Sequence, residues 1–364
     1  MFTKKDLFVY LFFIAAYLLI LFGFHKEIFQ YQESPNLINQ YLNSQDIEGE
    51  VEQRVFISDA DIYLASGYLY TQGNSPTNFN FQHPPLIKYL FGFSAKFLGN
   101  PYYVQMVFGV LLLGLTYFLG IKLFSKRLIA LVATLFLLID PVFMNLSTQT
   151  LLDLGQAVFA LGYLGAFVFL PENFLVQGII LGLFAASKFW STAAIWFTFL
   201  IIFQIFVLQK RINILKTFYS LVIALIVFSI TYIQAFLVIE WQFNIFHYQL
   251  KVLKFMLSHN SAPGLGGSVV LFVTGYFTKW WNRLEPLKGD VWSFLWPMSL
   301  LFNLWALIRP KFTKIQSVVY LLPLAYFILT VTQVPFTRYF IVILPLLYLV
   351  LSNELFRLRA KISK

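Results

Sequence analysis

The 364-residue chain is too apolar for an ordinary soluble domain, since 59% of its residues are hydrophobic, 20% are aromatic and only 12% are charged. Its net charge of +10 does not indicate a nucleic-acid-binding protein, because the basic residues cluster beside apolar runs, as topology signals do. The absence of cysteine excludes disulfide bonds and thiolate metal sites.

Long apolar runs predict an all-α polytopic membrane protein, because a helix needs about 20 apolar residues to cross the hydrocarbon core. Barrel strands are excluded, since they alternate apolar and polar residues. The first run follows Lys4 and Lys5 and is longer than the apolar region of a signal peptide, which predicts a retained span. We count about ten spans, and nine or eleven also fit the pattern. They lie near Leu7–Phe24, Tyr102–Leu123, Leu128–Ile139, Leu151–Leu170, Phe174–Ser187, Trp190–Leu208, Phe218–Ile239, Val291–Ile308, Val318–Thr332 and Phe340–Leu351.

Two connecting segments, 25–101 and 240–290, are much longer than the others, and loops of that length usually carry function or disorder. Within the first, Tyr63–Tyr70 and Leu86–Leu98 predict short amphipathic helices lying on the membrane surface. The whole chain, 1–364, is expected to form a single membrane domain whose two long loops lie on one face.

The basic residues are divided unevenly between the two faces. Ten spans put both termini on one side, and that side holds 15 of the 26 Lys and Arg residues but only three acidic residues. The positive-inside rule therefore predicts that both termini are cytoplasmic and that both long loops are extracytoplasmic, most simply at the cell membrane. The basic excess is also expected to contact anionic lipid headgroups.

The first long loop contains two aspartates and a proline-rich motif. Asp59 and Asp61 belong to an acidic stretch, 46–61, whose plain interpretation is a solvated loop. Two features favour a functional site instead. The pair directly precedes an apolar segment, and the His-Pro-Pro-Leu motif at 83–86 is rigid because proline fixes φ.

Charged residues beside the predicted spans form a second group of candidates. Asp153 heads the fourth span, where a carboxylate either caps the helix or points into a shared cavity. Lys188 lies between two closely spaced spans and either snorkels to the interface or faces that cavity. Arg283 and Arg338 fall on the same predicted face, where a guanidinium can bind phosphate bidentately or serve as an interface anchor. The four histidines have no paired metal-ligand spacing, so no metal site is predicted.

The order of these motifs resembles a known family. An aspartate-bearing loop after the first span, then His-Pro-Pro-Leu with a lysine two residues later, is similar to the protein O-mannosyltransferases. The lipid A aminoarabinose transferases belong to the same broader GT-C superfamily of multi-span glycosyltransferases, which use lipid-linked sugars. Three further elements follow in the family's order, namely Ser147–Asp153, Gly182–Trp190, and Arg338-Tyr339 before Leu344-Pro345-Leu346. The resemblance covers roughly Met1 to Trp190 well and the remainder loosely.

Three departures from the family pattern limit what carries over. Asp59 is followed by Ala60 where family members usually have glutamate, and Thr148 replaces the arginine of the second element. Phe81 stands where the mannosyltransferases place an acidic residue two positions before the histidine. The sugar and the acceptor of either subfamily are therefore not transferred to this chain.

The resemblance implies an inverting, mannosyltransferase-like transfer of a sugar from a polyprenyl-phosphate-linked donor to an acceptor hydroxyl on the extracytoplasmic face. Asp59 is the first choice for the base by its motif position, and Asp61 is the second. The expected partners are that donor, a protein, lipid or glycan acceptor, and membrane lipids, with no nucleic acid and no assigned cofactor or metal. The candidate catalytic residues are Asp59, Asp61 and Asp153, and the candidate donor or phosphate-binding residues are His83, Lys88, Lys188, Arg283 and Arg338.

Two other classes of protein share some of these features. A lipid or sugar transporter or flippase also needs many spans and buried charge, although transporters tend to carry internal repeats and helices broken near the midplane. A noncatalytic member of the superfamily is the other alternative, because Ala60 and Thr148 replace expected polar groups.

Overall fold

The computed structural model of the chain describes residues 3–47, 54–238, 243–259, 266–278, 286–331 and 336–362. Within these ranges it contains seventeen α-helices. They are α1 Lys4–Phe24, α2 Leu37–Leu42, α3 Asp59–Thr71, α4 Leu86–Leu98, α5 Tyr102–Phe124, α6 Arg127–Leu138, α7 Pro141–Ser147, α8 Asp153–Phe169, α9 Phe174–Ser187, α10 Trp190–Ile202, α11 Ile214–Ile230, α12 Ile233–Val238, α13 Ile245–His259, α14 Gly267–Thr274, α15 Leu295–Ile308, α16 Ser317–Thr330 and α17 Leu344–Ile362.

The predicted all-α class holds for the bundle, but the second long loop also contains a short β hairpin. Strands β1 Tyr276–Thr278 and β2 Pro286–Lys288 pair in antiparallel fashion. Short 3₁₀ turns follow α1, at Lys26–Ile28, and precede α17, at Thr337–Val342.

Each of the ten predicted spans overlaps a helix, but the number of crossings is not fixed by these helices. Three described segments are long and apolar enough to cross a membrane, namely α1, α5 and Trp190–Val207, where α10 continues into a π turn. A fourth forms if α6 and α7, bent by 61° at a short break, count as one span. The other apolar helices are shorter, so ten spans stays a prediction.

The bend between α6 and α7 is built around a buried carboxylate that the sequence did not single out. Asp140 caps α7, and its Oδ1 accepts hydrogen bonds from the backbone N–H groups of Val142 and Phe143 at 2.8 and 3.3 Å. Its Oδ2 accepts from Trp296 Nε1 of α15 at 2.8 Å and from the hydroxyl of Tyr348 of α17. One carboxylate therefore joins the bend to two distant helices, and its buried charge is offset by four donors.

The two helices of the first long loop cross at a glycine contact. A Cβ on Gly67 of α3 would lie 2.3 Å from the carbonyl oxygen of Lys88, and one on Gly92 of α4 would lie 2.1 Å from that of Gly67. Glycine at both positions therefore allows the two backbones to touch. Helix α4 exposes Phe93 and Phe97, and its position on the membrane surface stays a prediction. The same expectation is wrong for α3, whose residues 62–70 are all buried. Packing against α4 and the rest of the bundle covers every face of α3.

Helices α8, α9 and α10 define two ends of the bundle. Asp153 begins α8, Lys188 directly follows α9, and Trp190 begins α10. Because Asp153 and Lys188 are in contact, α8 and α9 run antiparallel and these three residues share one end. Phe174, at the start of α9, lies at the other end, about 20 Å away at 1.5 Å per residue. The two ends are called the Asp153 end and the opposite end below.

Candidate active site

Asp59 is placed by a helix start. Ser58 caps α3, since its hydroxyl accepts a hydrogen bond from the backbone N–H of Asp61 at 3.2 Å and donates to Asp61 Oδ2 at 2.7 Å. The Asp61 carboxylate is thus used in the cap and lies at the exposed surface. The Asp59 carboxylate points elsewhere, towards Arg338, with 44% of its side chain exposed.

Four candidate residues from four separate segments form one ionic chain. Arg338 Nη2 lies 2.5 Å from Asp59 Oδ2, and Arg338 Nε lies 3.8 Å from Asp153 Oδ2. Asp153 Oδ1 accepts a hydrogen bond of 2.5 Å from Lys188 Nζ. Exposure falls along the chain, from 44% at Asp59 through 17% at Arg338 to 1% at Asp153 and Lys188. The two cations and two carboxylates balance, and the chain leads from solvent into the bundle.

One link of this chain is incomplete. Arg338 Nε and Asp153 Oδ2 are buried, face each other across 3.8 Å and have no hydrogen-bond partner among the described residues. Leaving a buried polar group unpaired costs about 1–3 kcal/mol. A small rotation of the guanidinium towards Asp153 would satisfy both atoms and weaken its contact with Asp59. Arg338 therefore has two alternative carboxylate partners within reach.

Aromatic rings surround the two cations. Lys188 Nζ lies 4.2 Å from the centre of the Tyr339 ring, and Arg338 Cζ lies 4.7 Å from that of Phe336. The Phe189 ring packs against both Tyr339 and the imidazole of His83. Rings at these distances attract cations through their quadrupoles and exclude water from the ion pairs. The site is thus a dry, charged cluster with an open side at Asp59.

His83 lies in this aromatic shell, between the rings of Tyr63 and Phe189 at 5.5 and 4.9 Å. Burial holds the pKa of His83 well below its ordinary value, and the nearby charge of Lys188 acts in the same direction. The imidazole is therefore neutral at physiological pH. Its Nδ1 is buried with no hydrogen-bond partner among the described residues, so it has an unused donor or acceptor at the edge of the ionic chain.

Lys88 points away from the ionic chain and into the loop that carries His83. Its ammonium donates to the carbonyl and side-chain oxygens of Asn80, at 2.7 and 3.1 Å, and to the carbonyl of His83 at 2.8 Å. Asn80 in turn donates to the half-buried carboxylate of Asp46 at 3.0 Å. Three acceptors use the three donors of the ammonium, so the contacts of Lys88 hold the shape of the loop.

The titration of Lys88 gives a testable pH dependence of stability. Burial lowers the pKa of Lys88 to about 7 in the folded state, from 10.5 for an exposed lysine. Between these values the unfolded chain binds the proton more tightly, so stability rises with pH over that window. We expect the unfolding temperature of the wild type to rise from pH 7 to pH 10 relative to that of Lys88→Met. Parallel curves of unfolding temperature against pH for the two proteins over that range would contradict a lowered pKa of Lys88 in the folded state.

Two uncharged side chains tie the first loop to the second motif, namely Thr150 within that motif and Gln105, which the sequence analysis did not single out. Thr150 donates to the carbonyl of Ala60 at 2.8 Å, directly beside Asp59. Gln105 of α5 donates to the carbonyls of Gln149 and Leu151 at 2.5 and 2.7 Å. An amide side chain near the start of an otherwise apolar run was the signal available for Gln105. These bonds fix the loop before Asp153 against α3.

Arg283, the remaining phosphate candidate, lies outside the described residues. Among the residues that the structure does describe, no group of three His, Asp or Glu side chains is arranged to hold a metal ion.

Comparison with known proteins identifies the fold. No family model matches the sequence, and no curated protein matches it either. Among solved structures, the chain is similar to ArnT from Cupriavidus metallidurans bound to undecaprenyl phosphate, with a TM-score of 0.63 and 14% identity over 95% of this chain and 60% of that one. The apo state of the same protein gives a TM-score of 0.61 and 15% identity over 88% and 58%.

The likeness shows that the chain has an ArnT-like fold, in line with the fold that the motif order led us to expect. The chain spans about three fifths of the length of the proteins it matches.

Proposed function

We propose that the chain is a membrane glycosyltransferase that moves a sugar from a polyprenyl-phosphate-linked donor to an acceptor hydroxyl. The supporting observation is the convergence of Asp59, Arg338, Asp153 and Lys188 at one end of the bundle, in a fold similar to that of a protein solved with undecaprenyl phosphate. The positive-inside rule favours the extracytoplasmic face for this end and the cytoplasm for both termini.

The donor phosphate is proposed to bind Arg338 and Lys188. A phosphate offers the guanidinium a bidentate partner, which competes with the single contact to Asp59. As Arg338 turns to the phosphate, its Nε approaches the unpaired Oδ2 of Asp153, 3.8 Å away. Donor binding therefore releases the Asp59 carboxylate from its ion pair and makes it available as a base. In the absence of donor, Arg338 keeps Asp59 neutralised.

The chemical step then uses Asp59 as the general base. Its carboxylate takes the proton of the acceptor hydroxyl while that oxygen forms a bond to the anomeric carbon of the sugar. The bond between the anomeric carbon and the phosphate oxygen breaks, and its electron pair stays on the departing polyprenyl phosphate. Arg338 and Lys188 stabilise the charge that develops there. Attack opposite to the leaving group inverts the configuration at the sugar carbon.

An apolar groove is proposed to hold the polyprenyl chain. It has a volume of about 460 Å³ and lies between α9, α10, α11 and α13, with Trp190, Phe197, Phe228 and Ile245 in its walls. Trp190 is two residues from Lys188, so the groove begins beside the proposed phosphate position. A hydrocarbon chain in the groove would place its phosphate at the two cations.

The remaining candidates take supporting roles in this proposal. The ammonium of Lys88 holds the loop and so positions His83, whose free Nδ1 is proposed to contact a sugar hydroxyl or a phosphate oxygen. Asp61 serves the start of α3, as its bond to Ser58 indicates. Asp153 orients Lys188 and receives Arg338.

The proposal is tested by incubating the purified protein in vesicles with a polyprenyl-phosphate donor labelled in its sugar. If the chain is a glycosyltransferase, the wild type should separate the labelled sugar from polyprenyl phosphate. Arg338→Gln should lose this activity. Lys96→Gln, a change at an exposed lysine far along α4, is the matched control and retains it. Donor that crosses the bilayer with its sugar–phosphate bond intact would support a transporter and contradict the proposal.

A further inference from the structure

A second polar cleft lies at the opposite end of the bundle, away from the ionic chain. Its walls come from the end of α8, the starts of α9 and α11, and the π turn that follows α10, and its volume is about 100 Å³. Since α9 separates the two ends by about 20 Å, the cleft is distinct from the Asp153 end. It also lies among the basic residues of the predicted cytoplasmic face.

The mouth of the cleft is electropositive. Arg211 and Lys216 line it, and Arg211 has no ionic or hydrogen-bond partner among the described residues. Lys216 Nζ lies 2.6 Å from a carboxylate oxygen of Glu172, which also lines the cleft. Lys216 and the nearby Lys210 hold the pKa of Glu172 below its ordinary value. Lys216 and Lys210 thus act on Glu172, and Arg211 also lines the mouth, so positive charge exceeds negative charge there.

Two nearly buried residues with hydroxyl groups also line the cleft. Tyr163 and Ser220 are 3% and 5% exposed, and no hydrogen bond of either hydroxyl is found within the part of the chain that the structure describes. The first turn of α11 also opens on the cleft, where Asn213 caps the backbone N–H of Lys216 at 3.0 Å. A helix start favours anions. Two hydroxyl-bearing side chains, two cations at the mouth and one helix start thus favour the same kind of ligand, an anion.

We propose that this cleft binds the phosphate of an anionic membrane lipid headgroup in the leaflet opposite to the candidate active site. Phosphate oxygens accept hydrogen bonds from the guanidinium of Arg211, the ammonium of Lys216 and the hydroxyl of Tyr163, which are groups of complementary charge and polarity. The position at the end of short apolar helices favours a membrane lipid over a soluble anion. The Phe167 and Phe174 rings in the walls suit the glycerol and the first methylenes of its chains.

Binding of phosphatidylglycerol to the purified full chain tests the proposal, with native mass spectrometry counting retained lipids. We expect the double variant Arg211→Gln/Lys216→Gln to bind about 25-fold more weakly, since each cation near an anionic lipid contributes about fivefold. The matched control Lys122→Gln/Lys126→Gln removes the same charge outside the cleft and should retain binding. Equal weakening in both variants would overturn a site in the cleft.

A second variant distinguishes lipid binding in the cleft from general attraction to a basic surface. Tyr163→Phe leaves every charge in place and removes one hydroxyl from the wall of the cleft, so weaker phosphatidylglycerol binding in this variant supports the cleft. Unchanged binding would contradict the role of the hydroxyl and with it the cleft as the binding position. Phosphatidylcholine and inorganic phosphate are the remaining probes. Binding of inorganic phosphate in preference to phosphatidylglycerol would exclude a lipid as the ligand. Equal binding of phosphatidylglycerol and phosphatidylcholine would overturn the proposed selection of an anionic headgroup. The unfolding temperature of each variant verifies its folding.

Discussion

Replacing Asp59 by asparagine is expected to lower sugar transfer by about 10²- to 10⁴-fold, the usual contribution of a positioned general base. The amide oxygen of the introduced asparagine would still accept a hydrogen bond from Arg338, so the geometry of the ionic chain should be retained. What is lost is the ability to take a proton. Initial rates of transfer from a labelled donor at saturating concentration measure the effect.

Asp61 provides the matched control for this experiment. It lies two residues away on the same helix start, and its carboxylate accepts a hydrogen bond from Ser58. Asp61→Asn keeps an acceptor for that bond, so transfer should stay within about twofold of wild type, as is usual for surface changes. Donor affinity is measured for both variants to separate binding from chemistry. Full activity of Asp59→Asn, or an equal loss in both variants, would rule out Asp59 as the base.

Breaking the buried pair between Lys188 and Asp153 is expected to destabilise the protein strongly. Both side chains are 1% exposed, and removal of Lys188 leaves the buried Asp153 carboxylate with only its 3.8 Å ion pair to Arg338, at a cost of up to about 3–5 kcal/mol. Lys188→Met should therefore lower the unfolding temperature in detergent by many degrees. The pair between Lys216 and Glu172, exposed at 41% and 82%, is the control, and Lys216→Met should leave the unfolding temperature nearly unchanged.

A double variant separates the structural role of this pair from its proposed role in transfer. In Lys188→Met/Asp153→Leu both charges are removed together, and replacing a buried ion pair by apolar groups of similar size is often neutral or stabilising. We expect its stability to return close to that of wild type while transfer remains abolished. Recovery of both stability and transfer would show that the pair only maintains the fold. A double-mutant cycle of the unfolding free energies measures the coupling.

The sequence was informative about helices and much less so about contacts between them. Runs of apolar residues locate a helix within each predicted span, because burial in lipid or in the bundle imposes the same composition. The sequence predicts a surface helix over Tyr63–Tyr70, whereas α3 is buried in the structure. Gly67 allows α3 to pack closely against α4, where Gly92 lies beside Thr71. The spacing of apolar residues alone cannot distinguish a helix at the surface from one that packs tightly through small residues.

For the candidate site too, the sequence was informative about which residues take part and much less so about their contacts. Motif order pointed to Asp59, Asp153, Lys188 and Arg338, and the structure brings these four residues together. The pairings could not be read from the sequence, because Arg338 and Asp59 are 279 positions apart and their contact depends on how the 3₁₀ turn before α17 meets the start of α3. The direction of Lys88 was equally hidden, since a lysine in a motif can face a ligand or its own loop.

Helix α9 is short for a membrane-spanning helix. Its 14 residues rise about 21 Å, whereas a typical hydrocarbon core is about 30 Å thick. If α9 crosses the membrane, as the sequence predicts, this hydrophobic mismatch requires the bilayer to thin beside it or the helix ends to lie below the headgroups. In either case Lys188 and the groove beside Trp190 are brought closer to the acyl chains. A lipid-borne phosphate can then reach the cations without leaving its leaflet.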